Sequence, residues 1–362
     1  MSILEARPAQ ARAAATALPA GEVEVAREAG LRYVTDDRPG ITRRRAGTGF
    51  SYRDAHGERI TDRRELERVR KLAIPPAWTG VWICPNPLGH IQATGRDARG
   101  RKQYRYHSEW RAVRDAYKFD RVLDFGHALP ILRSRLEADL ALSGAPRERV
   151  LASVVSMIDL TLMRVGNEEY ARSNNSYGAT TLRNDHVETD GADVEVTYRG
   201  KHGKEHHASF RDRRIAAVIR RCQDLPGECL FSYMDETGTP RRVESGDVND
   251  YLREIAGAAF TVKDFRTFGG TALCFQMLSD AGAPASAKEA AGVIVGVIKL
   301  VAARLGNTPS VCRASYVHPL VLSTYAEGSL TAGDVLEPED HLSAEEARLL
   351  AFLETKEPLR GA

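Results

Sequence analysis

The sequence predicts an α+β fold: a small β-rich N-terminal domain, then a larger, mostly α-helical domain that carries a β-hairpin region. Three patterns predict it. Between residues 31 and 105, short apolar runs such as VWICP and HIQAT alternate with turn signals. From Ser108 onward, apolar residues recur at helical spacing in SEWRAVRDAYKF and RERVLASVVSMIDLTLM. Inside that helical half, a β region over about 180–210 ends in the hairpin VTYRGKHGKEHHASF.

Taken in order, residues 1–28 are rich in Ala without a pattern and read as a flexible extension. Residues 29–106 form the N-terminal domain, with one helix near 62–72 entered through Thr61-Asp62 as its cap. A linker is expected around 106–118, and the larger helical domain is expected over 107–362. Helices are expected at 211–222, 246–257, 263–280 and 287–304. PSVCRASYVHPLVLSTYAEG reads as one further helix. No internal repeat is evident.

At 362 residues the chain can bury two cores, and its 43% hydrophobic content is ordinary. Five scattered Cys without a CxxC pair argue against a disulfide framework or a zinc site. The N-terminus has no apolar signal core, and no apolar run approaches the ~18 residues that span a bilayer. The expectation is a cytoplasmic, nucleoid-associated monomer. The net charge of +2 hides an uneven distribution. Residues 41–72 carry ten Lys/Arg against five Asp/Glu, and 92–118 carry eight against three. After Tyr325 the balance reverses, with nine acidic residues against three basic. A basic front half is the footprint of a duplex-binding face, although solvated helix charges such as those of TDRRELERVRKL account for part of it.

Five residues in the second half carry chemistry suited to a phosphodiester: Arg164 in RVGNEEYA, Lys201 at the hairpin tip, Arg266 in KDFRTFGG, Asn307 in LGNTPS and Tyr316 in SVCRASY. Attack on a phosphodiester gathers negative charge on the non-bridging oxygens, which two guanidiniums can hold by charge-assisted bonds. A Tyr phenol is a workable nucleophile when cations lower its pKa. The leaving 5′-oxygen needs a proton, which a Lys can donate. Asn307 can add a neutral donor. Each residue alone also fits a plain structural role: a solvated Arg, a packed Tyr, a turn Asn or a polar hairpin tip.

With IPPAWTGVWI, GHIQATGRDARGRKQYRYH, MRVGNEEYA, LRNDHV, YRGKHGKEH, KDFRTFGG and LGNTPSVCRASYVHP in this order, the chain resembles the poxvirus-type and bacterial type IB DNA topoisomerases from about residue 31 to 325. The resemblance implies a bilobed clamp on double-stranded DNA. It implies that Tyr316 is the nucleophile that forms a 3′-phosphotyrosine bond. Arg164, Arg266 and the residue at 307 would stabilise the phosphorane, and Lys201 would act as general acid. The reaction would need no ATP, no metal and no other cofactor. A His is usual in poxvirus members where this chain has Asn307; bacterial members are similar to this chain there. Lys204 lies three residues from Lys201, but the Gly200-Lys201 pair matches the family motif.

GRDARGRKQYRY comes close to a phosphate-binding loop. Arg101 stands where the motif needs its Lys, and neither Lys102 nor Gln103 supplies the Ser or Thr that should follow, so nucleotide binding is not expected. The segment instead suits DNA. Arg101 and Lys102 can hold phosphates, and Gln103 and Tyr104 can reach groove edges. Tyr106, Tyr170 of RVGNEEYA and Lys263 of KDFR complete the DNA-facing candidates. The alternative is a tyrosine recombinase-like strand transferase. Such enzymes usually show HxxR where this chain has Lys263-Asp264-Phe265-Arg266, and usually have a helical N-terminal domain. A DNA-binding protein without catalysis is a third possibility.

Overall fold

Two β-strands that sequence periodicity did not single out open the fold. β1 (Ile41–Ala46) pairs antiparallel with β2 (Gly49–Arg53), with Ala46 opposite Gly49 and Gly47 at φ +58° in the turn. β3 (Thr79–Ile83), β4 (Ile91–Arg96) and β5 (Lys102–Tyr106) complete a five-stranded antiparallel sheet in the order β2-β1-β3-β4-β5. α1 (Arg63–Lys71) starts as expected, with the Asp62 side chain accepting from the Arg64 and Glu65 backbone amides. Its Val69 packs with Ile41, Val81, Ile83 and Ala93 to form the sheet core. Two cations of the basic stretch serve this fold. Arg43 donates to the carbonyls of Ile74, Pro75 and Trp78, and Arg68 donates to Glu65, Gln92 and the Cys84 carbonyl.

The computed structural model describes residues 29–98, 100–257, 260–330 and 340–356, together with Val23, Ala26 and Arg27. Apart from those three positions, the extension expected at 1–28 lies outside the described residues. Parts of the acidic C-terminal stretch, 331–339 and 357–362, do so as well. The chain forms two units, Met1–Tyr117 and Lys118–Ala362. Their division falls within α2 (Ser108–Leu140), so the segment expected to link the domains is helical from Ser108 onward.

The second unit is built around α3 (Arg147–Thr161), whose residues from Val150 to Val155, together with Met157 and Ile158, have no exposed surface. β6 (Val187–Asp190), β7 (Asp193–Arg199) and β8 (Glu205–Arg211) form an antiparallel sheet in the order β6-β7-β8. In β7 the buried Val194, Val196 and Tyr198 alternate with exposed residues, the period-2 pattern of a half-buried strand. The remaining elements are α5 (Arg213–Gln223), the small hairpin β9 (Ser232–Met234) and β10 (Pro240–Arg242), α6 (Ser245–Ala256), α7 (Val262–Asp280) and α8 (Ala287–Arg304). They are preceded by α4 (Glu168–Asn174). The α3 helix packs on α5, α6 and α7, and Phe125 of α2 meets the rings of Phe260, Phe265 and Phe268 edge-on.

The one helix expected over PSVCRASYVHPLVLSTYAEG is two. α9 (Pro309–Ser315) ends at Tyr316 and α10 (Pro319–Ala326) begins after His318. Pro319 has no amide proton and drives His318 to φ −61° and ψ 125°, outside the helical region. His318 then caps α10, accepting the Leu320 amide at its Nδ1 at 3.2 Å. The last described element, α11 (Ala344–Lys356), is anchored by Arg133, which pairs with Asp159 at 2.8 Å and with Glu346 at 2.7 Å. Among the described residues, no helix is long and apolar enough to cross a membrane.

Candidate active site

Arg164 leaves α3 through a left-handed turn. Leu162 caps the helix at φ 56°, a conformation uncommon for a residue with a Cβ, and its amide still reaches the Ile158 carbonyl at 2.7 Å. The turn re-aims the chain, and the Leu162 carbonyl accepts from Nη1 of Arg266. The backbone of Arg164 is pinned in turn. Its carbonyl accepts from the Ala179 amide at 2.8 Å, and the Val165 carbonyl accepts from the Thr180 amide at 2.7 Å. Gly178 allows this approach, since a Cβ there would lie 2.6 Å from the Arg164 oxygen.

Asn307 follows α8. Gly306 at φ +61° donates to the Ala303 carbonyl at 3.0 Å, and the Asn307 amide donates to Ala302 at 2.8 Å, the two bonds of a Schellman C-cap. This cap turns Asn307 toward Arg164, whose Nη2 donates to the Gly306 carbonyl at 3.0 Å and to Oδ1 of Asn307. The Asn307 Nδ2 is buried and has no hydrogen-bond partner among the described residues. The side chain thus spends its acceptor on the arginine and keeps its donor for another ligand.

Arg266 is 4% exposed. Its Nη2 donates to the Leu305 carbonyl at 2.9 Å, and its guanidinium carbon lies 5.0 Å from the centre of the Tyr316 ring. Burial lowers its pKa and the neighbouring Tyr316 phenol raises it; a guanidinium remains charged throughout. Tyr316 sits at the helix break, half-buried, with its carbonyl accepting from Thr271 Oγ1 at 3.3 Å. Gly270 permits this contact between α7 and the tyrosine backbone, because a Cβ there would lie 2.8 Å from the Tyr316 oxygen.

Arg164, Arg266, Asn307 and Tyr316 therefore converge from four elements. Lys201 opens a 3₁₀ turn (Lys201–Gly203) that joins β7 to β8, and its side chain is exposed. The Gly200 amide donates to the Lys204 carbonyl at 2.7 Å and closes the turn. One residue that the sequence reading passed over lies between this turn and the arginines. His206 of β8 stacks on Tyr198 of β7 with ring centres 5.2 Å apart, and its pKa is lowered by burial and by the charges of Arg164, Arg266 and Lys204. Burial likewise raises the Tyr198 phenol pKa, against the pull of the two arginines. No local sequence signal marks either residue.

The other candidates are placed as follows. Arg101 forms an ion pair with Asp97 at 2.7 Å, and Gln103 donates to the same carboxylate at 3.0 Å. Lys102 pairs with Asp36 at 2.7 Å, which raises the Lys102 pKa. Tyr104 and Tyr106 stack with ring centres 5.8 Å apart on β5, an edge strand of the first sheet. Tyr170 is half-buried on α4, and Lys263 is exposed in the first turn of α7. Among the described residues no group of three or more His, Cys, Asp or Glu is disposed to hold a metal ion.

Comparison with known proteins shows which sequences this chain is similar to. A family model described as the catalytic core of eukaryotic DNA topoisomerase I matches residues 107–332, and one for the N-terminal domain of bacterial DNA topoisomerase IB matches 49–97. A DNA topoisomerase 1B of Acanthamoeba polyphaga mimivirus is 35% identical over 79% of this chain and 87% of its own length. A DNA topoisomerase I of monkeypox virus is 22% identical over 72% of this chain and 82% of its own length. A crystal structure of the site-specific recombinase XerH overlaps 52% of this chain and 47% of its own at 16% identity, with a TM-score of 0.33. The catalytic-core match alone spans more than half of the residues, and the mimivirus protein aligns along most of both chains, so this chain belongs to the type IB DNA topoisomerase family.

Proposed function

We propose that the protein relaxes supercoiled duplex DNA by cutting one strand, letting the free end swivel and resealing it. The observation that carries this reading is the convergence of two arginines and an unpartnered amide donor beside one tyrosine. In the forward step the Tyr316 Oη bonds to phosphorus and its proton passes to solvent. The bond from phosphorus to the 5′-oxygen breaks, and Lys201 supplies the proton that this oxygen takes up. Arg164, Arg266 and the Asn307 Nδ2 hold the non-bridging oxygens as charge gathers on them. The phosphotyrosine diester conserves the bond energy, so the 5′-hydroxyl can reverse the step without ATP.

In this reading residues 29–106 and 107–362 are an N-terminal DNA-clamp domain and a catalytic domain. Arg101, Lys102, Gln103, Tyr104 and Tyr106 contact the duplex from the first, and Tyr170 and Lys263 from the second. The pairing of Arg101 and Lys102 with Asp97 and Asp36 means that these cations exchange a carboxylate for a phosphate on binding. The protein acts as a monomer on bacterial nucleoid DNA and uses no nucleotide, metal or cofactor. The test is relaxation of a supercoiled plasmid in EDTA without ATP, followed by denaturation to trap the covalent adduct. Relaxation with a 3′-linked adduct is the expected result. Site-dependent strand exchange would instead assign a recombinase, and retardation without an adduct would assign a binding protein.

A further inference from the structure

His206 is flanked by two glycines that belong to different parts of the site. Gly200 immediately precedes Lys201, and a Cβ at Gly200 would lie 2.5 Å from the imidazole Cδ2 and 2.7 Å from its Nε2. Gly306 immediately precedes Asn307, and a Cβ there would collide with the imidazole Cε1. The ring edge therefore lies flush against both backbones. Its face is fixed by Tyr198, directly opposite on β7 and itself 6% exposed. The Nε2 is buried without a hydrogen-bond partner among the described residues, so packing and not a polar bond holds this edge of the ring. A polar residue held this way acts as a spacer between the two loops.

We infer that His206 is a positioning residue that sets the distance between the Lys201 turn and the Asn307 loop, and so places the proton donor against the phosphate held by the arginines. This rests on the proposed role of Lys201 as general acid. Loss of the spacer lets the turn drift while the cage keeps its carbonyl anchors. A misplacement of about 1 Å costs about 100-fold in rate, and here the loss falls on proton transfer.

The experiment measures single-turnover cleavage by the full chain on an ordinary duplex and on one with sulfur at the bridging 5′ position, whose leaving group needs no proton. His206→Ala is expected to be about 100-fold slow on the first and within about threefold of the parent on the second, the pattern also expected of Lys201→Ala. Restoration of Lys201→Ala but not His206→Ala would overturn the positioning role and leave the general-acid reading intact. Restoration of neither would overturn both. A second variant guards against a folding defect. Gly200→Ala has no backbone strain, and its Cβ meets the imidazole as its close neighbour, so it should show the same sulfur-restorable loss. Added to His206→Ala it should cost nothing more, because the ring it displaces is gone. A full additional loss in the double variant would show that the two sites act independently and would overturn the inference.

Discussion

Arg266 and Lys201 belong to one candidate site but are held in opposite ways. Arg266 is buried, anchored to the carbonyls of Leu162 and Leu305, and the first of these is aimed by a left-handed residue. Arg164 is likewise tied to Gly306 and Asn307. Lys201 is exposed on a short turn closed by the Gly200–Lys204 and Gly203–Gly200 backbone bonds. The difference follows from the chemistry proposed for each. Groups that stabilise charge at a transition state work best when they need no reorganisation. A proton donor acts on the leaving oxygen only as that oxygen gains charge, and an exposed side chain can deliver it from a turn whose backbone is held at Gly200.

The largest effect tests the centre of the rigid region. Tyr316→Phe should abolish relaxation and adduct formation, yet duplex affinity should stay within about threefold, because phosphate contacts supply most of it. A residual adduct would move the nucleophile elsewhere, with Tyr325 and Tyr170 next to examine.

The second test sets the two regions against each other. Lys201→Ala should slow cleavage of an ordinary duplex by about two to four decades, and sulfur at the bridging position should restore it. Arg266→Ala should lose about two to three decades on both substrates, since its task is the charge on the phosphoryl oxygens. If sulfur also restored Arg266→Ala, the division between a buried cage and an exposed acid would collapse, and Arg266 would become the candidate proton donor.

A third effect is one of stability and belongs to the rigid side. His318, 3% exposed beside Tyr316, has its pKa pushed down by burial from 6.5 to about 4. Its Nδ1 accepts the Leu320 amide, which requires a neutral ring. Because the folded pKa lies below the unfolded one, the unfolded chain binds the extra proton. Stability is then complete above about pH 6.5 and falls as pH drops toward 4, by roughly 3 kcal/mol for such a shift. His318→Asn keeps an acceptor for the cap and removes the titration. Urea unfolding between pH 7 and pH 4 should show a shallower loss for this variant, and an equally steep one would place the acid sensitivity elsewhere.

The smallest effect concerns the first unit. Arg101→Ala should weaken duplex binding across sequences and flatten its salt dependence by about one unit, the signature of one lost phosphate contact. An unchanged slope would leave Arg101 as the internal partner of Asp97.

The helices expected at 211–222, 246–257, 263–280 and 287–304 fall within two residues of α5 to α8, because an apolar stripe repeated over several turns is a local property. The strands β1, β2 and β5 were not legible in the same way. Their residues include Arg43, Arg44, Arg45, Lys102 and Arg105, and what makes them strands is pairing with partners elsewhere in the chain. The break at Tyr316 did have a local mark, Pro319, which the apolar pattern running across it obscured.

By itself the sequence determined the fold class, the family and the five residue types suited to phosphodiester chemistry, since these depend on composition, order and local period. Only the tertiary structure decided that the Asn307 acceptor faces Arg164 and leaves its amide donor buried without a partner among the described residues. It also decided that Arg266 lies over the Tyr316 ring, and that His206 fits between Gly200 and Gly306. The physical reason is distance along the chain. Contacts between residues 100 or more positions apart, such as His206 with Gly306, are set by how helices and sheets pack, and no local pattern records them.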